Sequence, residues 1–327
     1  MNQKLSARPA ARRLVLRLLA VTILAALPLT AYAQGVNSLQ FPCNPRESRA
    51  DFDGDCKTDV STFNRSTGLW AARNSSNNQF ASFYFGQSGD IAAPGDYDGD
   101  GKTDAAVFRP GDETWWYIRQ PDGSLKAVRF GLSGDIPVAR DYDGDNKADV
   151  AVFRPGNGFW YILKSSTNTM MSVQWGQTGD RVVPGDYDGD GKTDVAIFRP
   201  GATHGTWWVL RSSNSSHYAI QWGLTGDWPV QADYDGDGKT DMAIFRPGTG
   251  EWAVLRSSDN TYYVATLGVS GDRPVPGDYD GDGKADVAVQ RPGDGCWHFV
   301  GSATVIPSVC FIYWDFPVPG AYLTPLY

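Results

Sequence analysis

The sequence predicts an all-β chain folded as a single β-propeller of six four-stranded blades, with seven as the alternative count. Three observations lead there. A nine-residue acidic pattern, Asp-x-Asp-Gly-Asp-x-Lys-x-Asp, starts at Asp51, Asp96, Asp141, Asp186, Asp233 and Asp278, in steps of 45, 45, 45, 47 and 45 residues. Between its copies lie short β-branched and aromatic runs punctuated by Gly, Pro, Asn and Asp, with no helical periodicity. Repeats of about 45 residues with four strands each are the size of propeller blades, which cannot bury both faces alone and must stack around an axis.

Residues 1–33 read as an export signal. Lys4, Arg8, Arg12, Arg13 and Arg17 precede an apolar run from Leu18 to Leu29, and Ala31-Tyr32-Ala33 offers a small-x-small cleavage site. No later run is long and apolar enough to span a bilayer. The segment 34–50 precedes the repeats, which occupy 51–327. The expected location is therefore secreted, periplasmic or at the cell surface, and the expected state is a monomer. Removing a leader with five basic and no acidic residues lowers the net charge by five from the whole-chain value of −8. Such acidity excludes the basic stripe of a nucleic-acid binder and matches a store of metal ligands. Four cysteines fall into two local pairs, Cys43 with Cys56 and Cys296 with Cys310, read as disulfides of an exported chain.

Within one unit the order is loop, strand, strand, strand, lead-in. After the loop at 186–194, Val195 to Phe198 is stopped by Arg199-Pro200-Gly201. A second run, Thr206 to Arg211, ends at Ser212-Ser213-Asn214; a third, His217 to Trp222, ends at Gly223. The turn Thr225-Gly226-Asp227 and Pro229-Val230 then lead into the next loop. Trp70, Trp116, Trp160, Trp208, Trp252 and Trp297 are assigned to one shared position as wedges between blades. Ala106, Ala151, Ala196, Ala243 and Ala288 mark a crowded inner position. After the sixth unit, Asp315 to Tyr322 repeats the lead-in without its loop. It is read as a closing strand that completes the first blade and removes open sheet edges.

The acidic loops carry the one clear chemistry. Carboxylates at loop positions 1, 3, 5 and 9, with a carbonyl at position 7, form an all-oxygen donor set suited to a hard cation such as Ca²⁺. The candidate ligands are Asp51, Asp53, Asp55, Lys57 and Asp59; Asp96, Asp98, Asp100, Lys102 and Asp104; and Asp141, Asp143, Asp145, Lys147 and Asp149. The later loops supply Asp186, Asp188, Asp190, Lys192 and Asp194; Asp233, Asp235, Asp237, Lys239 and Asp241; and Asp278, Asp280, Asp282, Lys284 and Asp286. Up to six Ca²⁺ would bind. An EF-hand is excluded, because its position 12 requires a bidentate glutamate and here holds Thr62, Val107, Val152, Ile197, Ile244 and Val289.

Phe130-Gly131, Gly134-Asp135 and Pro137-Val138 before the acidic loop, and Phe85-Gly86 followed by Ala93-Pro94-Gly95, resemble the FG-GAP (VCBS-type) repeat of integrin alpha-chain propellers and secreted bacterial proteins. The resemblance covers residues 51–322. It implies a calcium loop between the first two strands of each blade, with the position-7 carbonyl as a ligand. It also implies a binding or adhesion role toward an extracellular glycan or protein, since fungal lectins with similar repeats bind sugars and integrin-like propellers bind proteins.

No catalytic motif stands out, and the chain is read as a non-enzyme. Of the 34 aspartates, 24 are loop ligands and six (Asp90, Asp135, Asp180, Asp227, Asp272, Asp315) hold a repeated turn. Glu47, Glu113 and Glu251, and His204, His217 and His298, show no spacing for a nucleophile, zinc or phosphate site. The alternative is a lyase-like polysaccharide-active enzyme, since some rhamnogalacturonan lyases resemble this propeller. Repeated Arg109, Arg154, Arg199, Arg246 and Arg291 are read as scaffold ion pairs rather than an anion-binding ring. Function is expected where the units differ, as at the two-residue insertion around Ala202-Thr203-His204-Gly205; Trp115, Phe159 and Trp207 are read as packing within or between blades, with exposed sugar-stacking platforms as the alternative.

Overall fold

The computed structural model describes residues 50–119, 122–310 and 316–318. The expected leader (1–33), Cys43, Glu47 and Asp315 lie outside them. Among the described residues the chain forms six antiparallel sheets of four strands each. From the innermost strand outward, blade 2 consists of Ile91–Ala92, Ala105–Arg109, Thr114–Ile118 and Leu125–Arg129. Blade 3 repeats this with Ile136–Pro137, Val150–Arg154, Phe159–Leu163 and Met170–Gln174, and blade 4 with Arg181–Val182, Val195–Arg199, His204–Leu210 and His217–Leu224. Blade 5 is Trp228–Pro229, Met242–Arg246, Glu251–Leu255 and Tyr262–Thr266; blade 6 is Arg273–Pro274, Val287–Arg291, Cys296–Val300 and Val309–Cys310. No helix among the described residues is long and apolar enough to cross a membrane.

Blade 1 closes the ring with two separate pieces of chain. Its strands Val60–Asn64, Leu69–Arg73 and Phe80–Tyr84 receive Phe316–Pro317 as the innermost strand, with Thr62 opposite Pro317 and Phe63 opposite Phe316. The Val318 N–H donates to the Ser61 carbonyl at 2.8 Å, as Ala93 does to Ala106 in blade 2. Ala50 then takes over: Asp59 N–H donates to its carbonyl at 3.1 Å, where Asp104 donates to Gly95 in blade 2. The count is six blades, and the segment after the last loop is the closing strand.

The first full strand of each blade is buried along nearly its whole length, for example Ala105 to Phe108, whereas the outermost strands are largely exposed. Six apolar clusters fill the spaces between successive blades. Trp160 of blade 3 packs in one cluster with Val182, Val195 and Ile197 of blade 4. Trp297 of blade 6 packs in another with Val60 of blade 1, which completes the circle. The wedge reading holds, but its register needs correction in two blades. The fully buried tryptophans are Trp70, Trp115, Trp160, Trp207, Trp252 and Trp297; Trp116 and Trp208 are not among them.

Strand pairing fixes this register. Phe108 lies opposite Trp115 and Phe198 opposite Trp207, as Phe153 lies opposite Trp160. Five of the buried indoles donate their Nε1–H to a carbonyl fifteen residues on, for example Trp115 to Phe130 at 3.0 Å, Trp160 to Trp175 at 2.7 Å and Trp207 to Trp222 at 3.1 Å. Because side chains alternate along a strand, Trp116 and Trp208 point to the opposite face. There Trp116, Tyr161 and Trp208 lie under Arg109, Arg154 and Arg199, at 5.4, 4.5 and 5.6 Å from guanidinium carbon to ring centroid. Trp115 and Trp207 are therefore core residues and not sugar platforms; Phe159 alone of the three is partly exposed.

The repeated arginines are scaffold. Arg109, Arg154, Arg199, Arg246 and Arg291 each make a two-pronged pair with Asp90, Asp135, Asp180, Asp227 and Asp272, at 2.7–2.9 Å. Each aspartate belongs to the turn that joins the preceding blade to the arginine's own. The same carboxylate caps that turn, accepting the N–H of Gln87 at 2.9 Å in the case of Asp90. The planar guanidinium thus compensates a buried charge.

The insertion in blade 4 lengthens its third strand to His204–Leu210 and creates a bulge between His204 and Thr206. Gly205 is required there: a Cβ would lie 2.0 Å from the Phe198 ring. Cys296 and Cys310 are joined by a disulfide across the two outer strands of blade 6. Cys56 is also disulfide-bonded.

Candidate metal centres

Each acidic loop wraps around its own first aspartate. The position-4 N–H donates to Oδ1 of position 1 at 2.6 Å in all six loops. The position-6 N–H donates to Oδ2 of the same residue at 2.8–3.0 Å. Position 6 adopts a left-handed backbone, with φ of 84° at Gly101, 65° at Asn146 and 73° at Cys56. Glycine and asparagine take this conformation readily; Cys56 takes it while held by its disulfide.

The ninth aspartate is the buried floor of the loop. Asp59, Asp104, Asp149, Asp194 and Asp241 are fully inaccessible and Asp286 nearly so. Oδ2 accepts the position-2 N–H, from Tyr142 to Asp149 at 2.9 Å. In five of the loops Oδ1 accepts a serine N–H from beyond the second full strand at 2.6 Å, as from Ser165 to Asp149. Burial pushes the position-9 carboxyls up, to about 7 at Asp59, Asp194 and Asp241 and about 6 at Asp149 and Asp286. Burial likewise raises the position-1 carboxyls Asp51, Asp96, Asp141, Asp186 and Asp233 above the usual carboxylate value. Neighbouring loop aspartates push in the same direction, and backbone N–H groups oppose.

Positions 1, 3 and 9 converge. Oxygens of Asp51, Asp53 and Asp59 lie within 4.8 Å of one another, as do those of Asp96, Asp98 and Asp104; of Asp141, Asp143 and Asp149; of Asp186, Asp188 and Asp194; and of Asp233, Asp235 and Asp241. The donor set is oxygen only, the chemistry of a hard divalent cation. Asp143 Oδ1 fits such an ion directly: it is buried and has no hydrogen-bond partner. The position-5 aspartates, expected beside the others, do not join these groups. Asp55 and Asp145 instead accept the position-7 N–H and a serine hydroxyl, the latter from Ser75 at 2.7 Å and Ser165 at 2.9 Å.

Sequence reasoning missed that serine pair. Ser75-Ser76, Ser165-Ser166, Ser212-Ser213 and Ser257-Ser258 clamp the loops, the second serine donating to position 3 at 2.6 Å. The dipeptide recurs at one place in four units, which was the available signal. In blade 2, Arg119 Nε faces Asp98 Oδ2 at 3.5 Å instead.

The position-7 lysines work outside their own loops. A Cβ on Gly54, Gly99, Gly144, Gly189, Gly236 or Gly281 would meet the stem of Lys102, Lys147, Lys192, Lys239, Lys284 or Lys57, the lysine of the next blade's loop. Lys57 Nζ donates to the Asp280 carbonyl at 3.0 Å. One residue on, the position-8 N–H donates to the position-1 carbonyl of the preceding loop at 2.6–2.7 Å, in all six cases including Thr58 to Asp278. The six loops form one hydrogen-bonded circle.

Comparison with known proteins gives the same repeat. No curated protein matches the sequence. Among solved structures, the chain is similar to a nidogen/laminin complex (TM-score 0.52, 8% identity, 79% of this chain and 95% of that one). It is also similar to a streptogramin B lyase (0.50, 8%, 82% and 86%) and to a protein of unknown function from Bacteroides caccae (0.50, 11%, 79% and 93%). At such identities the likeness shows the fold alone. The model of the FG-GAP-like repeat matches residues 51–107, 96–152, 141–197, 186–244 and 233–289, each match running from one acidic loop through the next. The chain belongs to the FG-GAP-like repeat family.

Proposed function

We propose that the protein is an exported, calcium-stabilised propeller that serves as a non-catalytic extracellular binding module for a carbohydrate or protein ligand. The observation that carries the calcium reading is the convergence of three carboxylates in loop after loop, with a buried Asp143 oxygen left unpartnered. A bound Ca²⁺ would supply positive charge to the position 1, 3 and 9 carboxylates, with the position-7 carbonyl as a further donor. The protein's own part is to hold those oxygens through backbone N–H groups and serines. The role is structural, because each loop joins two strands and touches the next loop, so ion binding becomes folding free energy.

The non-catalytic reading rests on how the remaining acids and histidines are engaged. The turn aspartates are bound two-pronged by arginines. Glu113 pairs with Arg129 and Glu251 with Arg246. His217 packs against Trp175, and His204 and His298 face Thr203 and Ser308. Export is supported by the Cys296–Cys310 disulfide together with the leader-like sequence.

Calcium titration of the mature protein with parallel melting curves tests this reading. About six ions per chain are expected. With each site at a thousand times its Kd, linkage adds about 4 kcal/mol per ion bound, so chelation should lower Tm steeply. An unchanged melting curve in excess EDTA, with metal loss confirmed, would refute the structural role. Breakdown of a retained polysaccharide would replace the binding reading with an enzymatic one.

A further inference from the structure

A residue present in every blade serves the scaffold; a residue present in a contiguous subset calls for another explanation. The position just after the second full strand holds Arg119, Lys164, Arg211 and Arg256 in blades 2 to 5, but Asn74 in blade 1 and Gly301 in blade 6. Blades 1 and 6 fold without a cation there, and in blade 2 Arg119 also faces the loop carboxylate of Asp98 at 3.5 Å.

These cations line grooves between blades. A cavity of about 760 Å³ between blades 4 and 5 is bordered by Arg211, Arg256 and Lys239, with the Tyr218 ring and the amides Asn214 and Asn260. A smaller one, about 290 Å³, between blades 2 and 3 is bordered by Arg119, Lys126, Lys147 and Lys164. The larger lies in the size range of small-ligand sites. Arg211 is stacked on Tyr218, its guanidinium carbon 4.7 Å from the ring centroid, and Arg256 on Tyr263 at 5.3 Å. Stacking holds each planar fork in a defined orientation. The acids bordering the larger groove, Asp188 and Asp190, are loop carboxylates engaged by Ser213 and Ser212.

We infer that these grooves form an arc of subsites for an acidic polysaccharide, whose carboxylates meet the cations of blades 2 to 5 and whose hydroxyls meet the asparagines. This deepens the binding-module reading and rests on it. Cations beside amides fit a sugar acid: the guanidinium donates two parallel N–H bonds to a carboxylate, and the asparagine amides can donate to and accept from hydroxyls. A nucleic acid needs a broad basic surface, whereas the cations here are confined to two grooves.

The test uses two polymers of one backbone, carboxymethyl-dextran and unmodified dextran, with the calcium-loaded mature protein and duplex DNA as a third probe. Retention at least tenfold stronger on the carboxymethylated polymer is expected, weakening as salt rises. Arg256→Glu and Lys126→Glu, which alter a half-buried and an exposed groove cation, should together abolish the preference. Arg129→Glu, a rim change outside both cavities, should leave it intact. Folding of each variant is checked by its calcium-dependent melting curve. Equal retention on both polymers, a preference that survives the groove changes, stronger retention on DNA, or no retention at all would each overturn the inference. Retention on neutral dextran alone would do so while leaving the binding module standing, and the calcium titration decides the metal reading separately.

Discussion

The loop circle and the grooves beside it lie in the same blades yet differ in one respect. The bonds onto the first carboxylate and between neighbouring loops recur in every blade, the former at 2.6 Å each time, whereas the position after the second full strand holds a cation in only four consecutive blades. Repetition marks what closes the ring; variation marks what the ring is free to use. The distinction gives a rule for where damage should spread, and four measurements can break or sharpen it.

The largest effect should come from the loops as a set, and it should depend on pH. In metal-free protein, burial raises the position-9 carboxyls to about 6–7, above their unfolded value near 3.8. The folded state therefore binds more protons than the unfolded state over that interval. This stabilisation is complete below the unfolded pKa and is lost as pH rises through the folded one. Melting in EDTA should fall between pH 5 and pH 8, and the gap between calcium and EDTA curves should widen. A constant gap would mean that the loops are not the ion sites.

Next comes the inter-blade wedge. Trp160→Ala should cost about 3–5 kcal/mol, while Trp208→Ala, on the opposite face in blade 4, should cost clearly less. Equal losses in urea unfolding would contradict the register described above. A third measurement concerns the turn pairs. Arg154→Ala leaves Asp135, with a side chain 1% exposed, without its cation, and about 3 kcal/mol should be lost. Double substitution with Asp135→Asn should recover part of that. The smallest effect is expected on the outer strands: Met170→Lys, at 64% exposure, should change stability by less than about 0.5 kcal/mol.

Much of this was legible in the sequence for one reason: a contact made six times leaves six traces. The loops, the blade count, the closing strand and the scaffold arginines all announce themselves by spacing. The tryptophan register failed where two adjacent indoles, Trp115-Trp116 and Trp207-Trp208, offered the same letter on both faces of a strand. Counting six residues from the arginine, as in Arg154 to Trp160, selects Trp115, and the two-residue insertion then selects Trp207. Other contacts were hidden because they join distant parts of the chain. Nothing local says that Lys102 lies over Gly54 of the preceding loop, or that a serine dipeptide twenty residues downstream clamps an aspartate. Those facts belong to the stacking of blades and need the closed ring to be seen.

Blade 1 is the one blade assembled from both ends of the fold, with Ala50 and Val318 each bonded to the same strand region. Viewed mechanically, a pull on the two ends of the fold enters through that single blade. It bears first on the two residue pairs Thr62–Pro317 and Phe63–Phe316, while the five other blades are shielded in series behind it. The disulfide at Cys56 lies beside this clasp, in the loop that Ala50 introduces. The ring would open at a defined seam, peeling apart blade 1 before the remainder bears load.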